Sequence, residues 1–233
     1  MLETIYTIPI NEAFEKCAEE EEPVCPFCLL HDKLEKDELN IILGASMMEP
    51  DIRIKTNEEG FCREHYKKML EMKNRLGLAL MLESHLAALK DDLTPGALSA
   101  LISKKGARET ERIEKLKQSC YICSRIDYSM ERMLSNAALM WEKDPDFIKK
   151  VNSQSCFCLE HYSAFIEAGR QNISKKKFSD FYLAVNKIEM NYLNSLCEDV
   201  SWFCKKFDYR YENEPWNNAK NAPERAINFL KRK

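Results

Sequence analysis

The chain has 233 residues, which is enough for one large domain or two small ones with a substantial hydrophobic core. Its 45% hydrophobic and 31% charged residues are typical of a soluble globular protein, and only 6 Gly and 8 Pro exclude collagen-like and linker-like sequences. The 35 Lys and Arg nearly balance the 38 Asp and Glu, which disfavours a role in binding nucleic acid. Because 24 Leu and 10 Met stand against 4 Val and 5 Thr, the composition predicts an all-α fold.

In chain order, Ala13, Phe14 and Cys17 fall at helical spacing and predict a short helix after an extended lead-in at 5–10. A helix is predicted from Pro26 to about residue 48. A loop is predicted at 49–60, where Pro50, Asn57 and Gly60 are found. One long helix is then predicted from residue 63 to about residue 90, and a charged helix from 107 to 118.

The second half begins with a helical segment after Cys120 that breaks around Asp144-Pro145 and again at Gln154-Ser155. The clearest helix carries apolar residues at steps of three or four, which predicts a buried stripe made of Phe178, Phe181, Val185, Ile188, Tyr192, Leu196, Val200, Phe203 and Phe207. A turn-rich tail and a short helix at 222–230 are predicted to follow.

The central feature of the sequence is an internal repeat. Cys25-Pro-Phe-Cys28 is followed 34 residues later by Cys62-Arg-Glu-His65, and Cys120-Tyr-Ile-Cys123 is followed 35 residues later by Cys158-Leu-Glu-His161. The copies are offset by 95 residues for the first motif and by 96 for the second. The match extends to the flanking residues, because Phe61, Glu64, Tyr66 and Glu71 recur as Phe157, Glu160, Tyr162 and Glu167.

The spacing of these motifs indicates metal coordination. Zn²⁺ takes four thiolate or imidazole ligands in a tetrahedron, and a three-residue step at a helix start brings two such side chains to one face. We therefore predict two closed structural zinc sites, one in each copy, with every motif at a helix N-terminus. The predicted ligands are Cys25, Cys28, Cys62 and His65 in the first site, and Cys120, Cys123, Cys158 and His161 in the second.

The repeat also separates ligands from other Cys and His residues. Cys156 corresponds to Gly60, His31 to Ile126 and His85 to Phe181, while the other cysteines have no cysteine counterpart. The residues predicted to pack in the core instead of binding metal are Cys17, His31, His85, Cys156, Cys197 and Cys204.

Four residues that flank the histidines have two interpretations. Glu64 and Glu160 are either acidic residues in the first turn of a helix, favoured by the helix dipole, or hydrogen-bond acceptors that orient His65 and His161. We favour the first interpretation. Tyr66 and Tyr162 are predicted to pack beside the metal.

Several segments resemble an uncharacterised protein family of anaerobic Gram-positive bacteria. The resemblance covers most of the chain and implies paired metal motifs and a helical fold, with no assigned activity. Besides the Cys-x-x-Cys and Gly-Phe-Cys-x-x-His-Tyr motifs, it is carried by Tyr6-Thr7-Ile8-Pro9-Ile10, Glu12-Ala13-Phe14-Glu15, Phe207-Asp208-Tyr209-Arg210, Glu214-Pro215-Trp216 and Ala222-Pro223 followed by Arg225-Ala226-Ile227.

The repeat predicts two helical halves, each tied by a Cys₃His metal site and packed together as one unit. The expected boundaries are a lead-in and first metal-binding repeat at 1–94, a connector helix at 95–119, a second repeat at 120–207, and a tail with a short helix at 208–233.

The leading functional hypothesis is a non-enzymatic, cytoplasmic, zinc-stabilised protein that binds a protein partner and neither nucleic acid nor membrane. No Gly-rich phosphate loop, nucleophile elbow or HExxH motif points to an enzyme. The longest apolar stretch, at 76–89, is too short to span a bilayer, and no secretory signal is recognised. Two alternatives stay open. One is a thiol-based redox or metal sensor that uses Cys17, Cys156, Cys197 or Cys204, and the other is an iron or iron–sulfur electron-transfer protein.

Overall fold

The computed structural model describes residues 2–94 and 107–231, apart from the side chains of residues 107 and 108. These residues form α-helices, short 3₁₀ segments and loops, with no β-strand among them, so the all-α prediction is confirmed. The helices are α1 (Thr4–Glu19), α2 (Pro26–Leu43), α3 (Pro50–Glu59), α4 (Arg63–Glu71), α5 (Arg75–Leu93), α6 (Ala107–Gln118), α7 (Tyr121–Lys143), α8 (Pro145–Asn152), α9 (Leu159–Asn172), α10 (Lys175–Lys205) and α11 (Ala222–Leu230).

The 3₁₀ segments are Ala45–Met48, Tyr209–Tyr211 and Asn217–Asn221. In the described part of the chain, no helix is both long enough and apolar enough to cross a membrane.

Three local predictions in the N-terminal half are wrong. Residues 5–10 are helical, because α1 starts at Thr4 and accommodates Pro9. The predicted loop at 49–60 is the helix α3, which has Pro50 in its first turn, where a missing N–H is tolerated, and ends at Gly60 with φ +61°. The single helix predicted from residue 63 to 90 is interrupted between α4 and α5.

That interruption has a local cause. Lys73 adopts a positive φ of 63°, which a continuous α-helix does not allow. The next residue, Asn74, caps the new helix by accepting a hydrogen bond from the Gly77 N–H at 3.0 Å.

The chain divides into two compact units, and the division differs from the boundaries expected from the repeat. Unit 1 comprises residues 1–32 and 130–233, and unit 2 comprises residues 33–129. The boundaries fall inside α2 and α7, so neither unit coincides with one copy of the repeat. Of the connector predicted at 95–119, residues 95–106 lie outside the described residues, and 107–118 form α6.

Unit 1 is organised around buried phenylalanines. Phe14 lies 5.4 Å from Phe27 and 5.0 Å from Phe147, measured between ring centroids. Phe165 lies 5.0 Å from Phe27 and 4.9 Å from Phe181. All five side chains are fully buried, and each such ring typically contributes about 3–5 kcal/mol on truncation to alanine.

The apolar stripe predicted on α10 is confirmed in its N-terminal two thirds only. Phe181, Val185, Ile188, Tyr192 and Leu196 are buried. Beyond them the stripe leaves the core, and Phe207 is 75% exposed.

Unit 2 has an aliphatic core. Its buried residues come from the C-terminal part of α2, from α4 and α5, and from the first turns of α7; they are Leu39, Ile42, Leu43, Met69, Leu78, Met81, Ile122 and Ile126.

Candidate metal centres

Each of the four motifs lies at a helix N-terminus, as the sequence predicts. Cys25 and Cys120 directly precede the first residues of α2 and α7, while Cys62 and Cys158 are the N-cap residues of α4 and α9. The carbonyl oxygen of the first cysteine accepts a hydrogen bond from the first turn in every motif. The second cysteine or the histidine therefore lies one turn into each helix and faces the same side as the first cysteine.

The motifs pair across the two copies of the repeat, so the predicted pairing within each copy is wrong. Centre 1 consists of Cys25, Cys28, Cys158 and His161, and lies within unit 1. Centre 2 consists of Cys62, His65, Cys120 and Cys123, and lies within unit 2. All eight predicted ligand residues are thus brought together, but each Cys-x-x-Cys joins the Cys-x-x-His of the other copy.

The ligand atoms of centre 1 converge on one point. His161 Nδ1 lies 3.7 Å from Cys25 Sγ, 3.5 Å from Cys28 Sγ and 3.2 Å from Cys158 Sγ. The sulfur atoms of Cys28 and Cys158 are 3.6 Å apart. In a tetrahedral zinc site, neighbouring sulfur and nitrogen ligands are about 3.5–3.8 Å apart, so these four atoms fit a single ion.

Centre 2 has the same ligand set and similar dimensions. His65 Nδ1 lies 3.2 Å from the sulfur atoms of Cys62 and Cys120 and 3.5 Å from that of Cys123. The sulfur atoms of Cys62 and Cys123 are 4.0 Å apart. In each centre the four ligand atoms lie within 4.8 Å of one another, which leaves room for one ion and not for a cluster with bridging sulfides.

Hydrogen bonds around the helix starts explain the pairing in centre 2. The Tyr121 N–H at the start of α7 donates to the Gly60 carbonyl at 3.0 Å. The Ser119 hydroxyl donates to the Glu59 carbonyl at 2.7 Å, and Arg112 donates to the carbonyls of Asn57 and Glu58. These bonds fix the C-terminal end of α3, and therefore Cys62, beside the Cys120 motif.

Aromatic packing explains the pairing in centre 1. Phe27 lies inside the first Cys-x-x-Cys motif, and its ring is 5.9 Å from the rings of Phe157 and His161. On the other side, Glu189 is buried on α10 and accepts a hydrogen bond from the Phe157 N–H at 3.3 Å. Burial raises the pKa of the Glu189 carboxyl to about 7. The segment before Cys158 is thus held between the Phe27 ring and α10.

In the absence of a cation, burial opposes the ionisation of thiols in both centres. Burial raises the pKa of the Cys25 thiol well above its usual range, and burial with the nearby Cys120 raises the pKa of Cys123 to about 12. Hydrogen bonds from Cys25 and Cys28 act in the other direction at Cys158 and lower its pKa. Ionising three thiols this close together requires a compensating positive charge, which a divalent metal ion would supply.

The residue that orients His65 is Glu35, which the sequence analysis missed. The Oε1 atom of Glu35 lies 3.2 Å from His65 Nε2, and its other oxygen accepts a hydrogen bond from Lys68. Only 12% of the Glu35 side chain is exposed. No motif spacing indicates this contact, because Glu35 reaches the ring from α2, thirty residues earlier in the chain.

The other interpretation, that residues beside the histidines act as acceptors, is not supported. Glu64 lies in the first turn of α4 and pairs with Lys67 at the surface, and Glu160 is exposed in the first turn of α9. Tyr66 packs edge-on against Phe61 at 5.4 Å, and the Tyr162 hydroxyl accepts a hydrogen bond from Asn186 at 2.8 Å.

The cysteines outside the centres fall into two classes. Cys17 and Cys156 are buried, as predicted, and His31 and His85 are partly buried. Cys197 and Cys204 are exposed, so their assignment to the core is wrong. They lie on the face of α10 away from its buried residues. Each cysteine directly follows a residue of the predicted apolar stripe, Leu196 or Phe203, and this step of about 100° around the helix is the sequence signal that places both outside the core.

A cavity of about 400 Å³ lies beside centre 1 and is lined by residues of unit 1 alone. Cys25, Cys28, Cys156 and Cys158 contribute to its wall, together with Arg225. Arg225 is already paired with Asp199 at 2.7 Å, so it offers no uncompensated charge to a ligand.

The model of a family of unknown function (DUF6062) matches residues 1–233, and the chain therefore belongs to this family. The resemblance of the sequence motifs to an uncharacterised family is confirmed as membership of this family of unknown function. No curated protein and no solved structure matches the chain.

Proposed function

We propose that this member of a family of unknown function is a non-enzymatic zinc protein in which two closed Cys₃His sites stabilise the fold, and that it acts by binding a protein partner in the cytoplasm. The observation that carries the proposal is the completeness of each ligand set. Three sulfur atoms and one imidazole nitrogen lie within 4.8 Å of one another in both centres. Four protein ligands fill the shell of zinc, whereas a catalytic zinc keeps one position open for water or substrate.

The position of the ligands supports a structural role. In each centre the metal would join two helix starts that are far apart in the sequence, so that binding and folding are coupled. The helix dipoles and first-turn N–H groups at these starts would also stabilise the net negative charge of Zn²⁺ bound by three thiolates.

Metal analysis of the purified protein tests this proposal. We expect about two zinc ions per chain by mass spectrometry of protein purified without oxygen, a colourless solution, and loss of helical circular dichroism when a strong chelator removes the metal. A visible absorption band with iron in place of zinc would overturn the zinc assignment. An unchanged spectrum of the metal-free protein would overturn the structural role.

Partner binding rests on a separate observation, and a separate experiment tests it. Ile5 and Ile8 lie about one turn apart on the same face of α1, and they are 76% and 67% exposed. Adjacent exposed apolar side chains of this kind can form part of a protein interface. Capture experiments with wild-type protein and with an Ile5→Ser/Ile8→Ser variant should recover a partner with the first only. Equal recovery by both proteins would exclude the α1 surface as the contact site.

A further inference from the structure

The exposed face of α10 carries a regular apolar stripe. Leu183, Met190, Cys197 and Cys204 follow one another at intervals of seven residues, and all four are exposed, Leu183 by 61% and Met190 by 42%. Because an α-helix drifts by about 20° per heptad, the four side chains lie within about 60° of one another around the helix axis. The stripe is about 31 Å long, at 1.5 Å per residue.

The stripe is distinct from the packing face of the same helix. Phe181, Val185, Ile188, Tyr192 and Leu196 point into unit 1, on the opposite side of α10. In a coiled coil, apolar residues at two positions of each heptad form the contact between the helices. The α10 stripe supplies one of these positions in each of its heptads. The internal core of unit 1 already uses the other face, so the stripe is available to a second helix.

Four charged residues run along one flank of the stripe. In chain order they are Asp180, Lys187, Glu198 and Lys205, all exposed, and they lie within about 20° of one another on a helix of 3.6 residues per turn. None of their side chains forms an ion pair within the described ranges 2–94 and 107–231. Their charges alternate in sign, and Asp180 precedes Lys187 by the same seven residues that separate Glu198 from Lys205.

When the series of four charges is taken from its other end, every position carries the opposite sign. Two copies of the helix that run antiparallel therefore attract each other along this flank. When a second α10 runs antiparallel, Asp180 lies opposite the partner's Lys205, and Lys187 lies opposite the partner's Glu198. The two-fold axis repeats both pairs, which gives four favourable contacts. A parallel pair in register would bring this flank against the opposite flank of the other helix, where the complementarity is lost.

From this pattern we infer that the protein forms a homodimer in which the α10 helices of two copies pack antiparallel along the Leu183–Cys204 stripe. In the register that pairs the charges, Leu183 lies within two residues, about 3 Å along the axis, of the partner's Cys204, and Met190 lies equally close to the partner's Cys197. The interface is isologous, as in most two-fold dimers. The inference does not depend on which metal the centres hold.

The first test is the mass in solution. Sedimentation equilibrium in the presence of a reducing agent should give twice the chain mass of 27.3 kDa. Met190→Glu places a charge in the stripe and should shift the protein to monomer, with unchanged zinc content and unchanged helical circular dichroism. Ser195→Glu adds the same charge about 140° away around α10 and should leave the dimer intact. A monomeric wild-type protein, or a Met190→Glu protein that still dimerises, would overturn the inference.

A charge swap tests the antiparallel register. Lys187→Glu and Glu198→Lys each replace two attractive contacts by two repulsive ones, and each should weaken the dimer about tenfold or more at low salt. The double variant Lys187→Glu/Glu198→Lys restores opposite charges across the axis, and its dissociation constant should return to within about threefold of the wild-type value. Additive weakening in the double variant would show that these residues do not face each other.

Discussion

The Nδ1 atom of His65 lies 3.2 Å from the sulfur atom of Cys120, a residue 55 positions later and in the other copy of the repeat. The equivalent contact in centre 1 joins Cys25 to His161 at 3.7 Å. In the sequence the ligands of centre 2 are therefore nested between the two halves of centre 1. Each compact unit contains one metal centre, and neither unit coincides with one copy of the repeat.

The exchanged pairing predicts an unusual pattern of zinc stoichiometry. Cys28→Ala/Cys158→Ala disables centre 1 only, and Cys62→Ala/Cys123→Ala disables centre 2 only, so each double variant should retain about one zinc per chain. Cys28→Ala/Cys62→Ala damages both centres and should retain none. Metal analysis after dialysis against a weak chelator measures the difference. If the motifs paired within each copy, Cys28→Ala/Cys62→Ala would instead keep one zinc.

The Glu35 carboxylate is predicted to strengthen zinc binding at centre 2. It contacts His65 Nε2 and so fixes the ring with Nδ1 towards the sulfur atoms. Loss of such an acceptor typically lowers metal affinity 10- to 100-fold, and we expect Glu35→Gln to have this effect on one of the two zinc ions. Competition with a chromophoric chelator gives the affinities.

Glu64→Gln is the matched control for that measurement. Glu64 is the direct neighbour of His65, but its carboxylate faces the solvent and pairs with Lys67 at 3.1 Å. Its substitution should leave both zinc affinities unchanged. Equal losses in the two variants would mean that general negative charge, and not the Glu35 contact, sets the affinity.

The ligand types and their positions at helix starts could be predicted from the sequence, because a three-residue step and a four-ligand shell are local requirements. Which Cys-x-x-Cys motif shares a metal centre with which Cys-x-x-His motif could not be predicted. Closing a loop from Cys25 to Cys158 instead of from Cys25 to Cys62 costs only about 1 kcal/mol more, since loop entropy grows with the logarithm of length. The contacts that decide the pairing, such as Phe27 on Phe157 and Tyr121 to Gly60, are tertiary and leave no trace in the spacing.

The same distinction explains the errors on α10 and Glu35. Steps of three and four residues identify an apolar helix face, but they do not show that the core ends near Leu196. They also miss a second stripe with a seven-residue repeat, to which the exposed Cys197 and Cys204 belong. Glu35 has no partner of regular spacing, because its contact with His65 joins two helices.

Gly169 is predicted to tolerate no side chain. A Cβ atom at this position would lie 2.2 Å from Cε1 of Phe181, a fully buried ring that packs against Phe165 and Trp141. In an open helix, Gly→Ala stabilises by about 1 kcal/mol, whereas overpacking in a core costs about 1–3 kcal/mol. Gly169→Ala should therefore lower the free energy of unfolding, measured with urea.

Ser163→Ala on the same helix provides the control for this experiment. Ser163 is exposed, so its replacement changes helix propensity without changing the core, and it should be neutral or slightly stabilising. If Gly169→Ala were also stabilising, the close packing of Phe181 against α9 would be incorrect.

The histidine ligands should control the stability of the two units separately. His65 and His161 are both buried, and structural zinc binding contributes on the order of 10 kcal/mol to the folding of small metal modules. His65→Ala should therefore increase hydrogen exchange across unit 2, residues 33–129, and His161→Ala should do so across unit 1.

The neighbouring exposed residues supply the controls, since Glu64→Gln and Glu160→Gln are expected to change stability by no more than about 0.5 kcal/mol. Exchange resolved by mass spectrometry distinguishes the units. If His65→Ala increased exchange equally in both units, they would unfold as one cooperative body, and each centre would stabilise the whole chain.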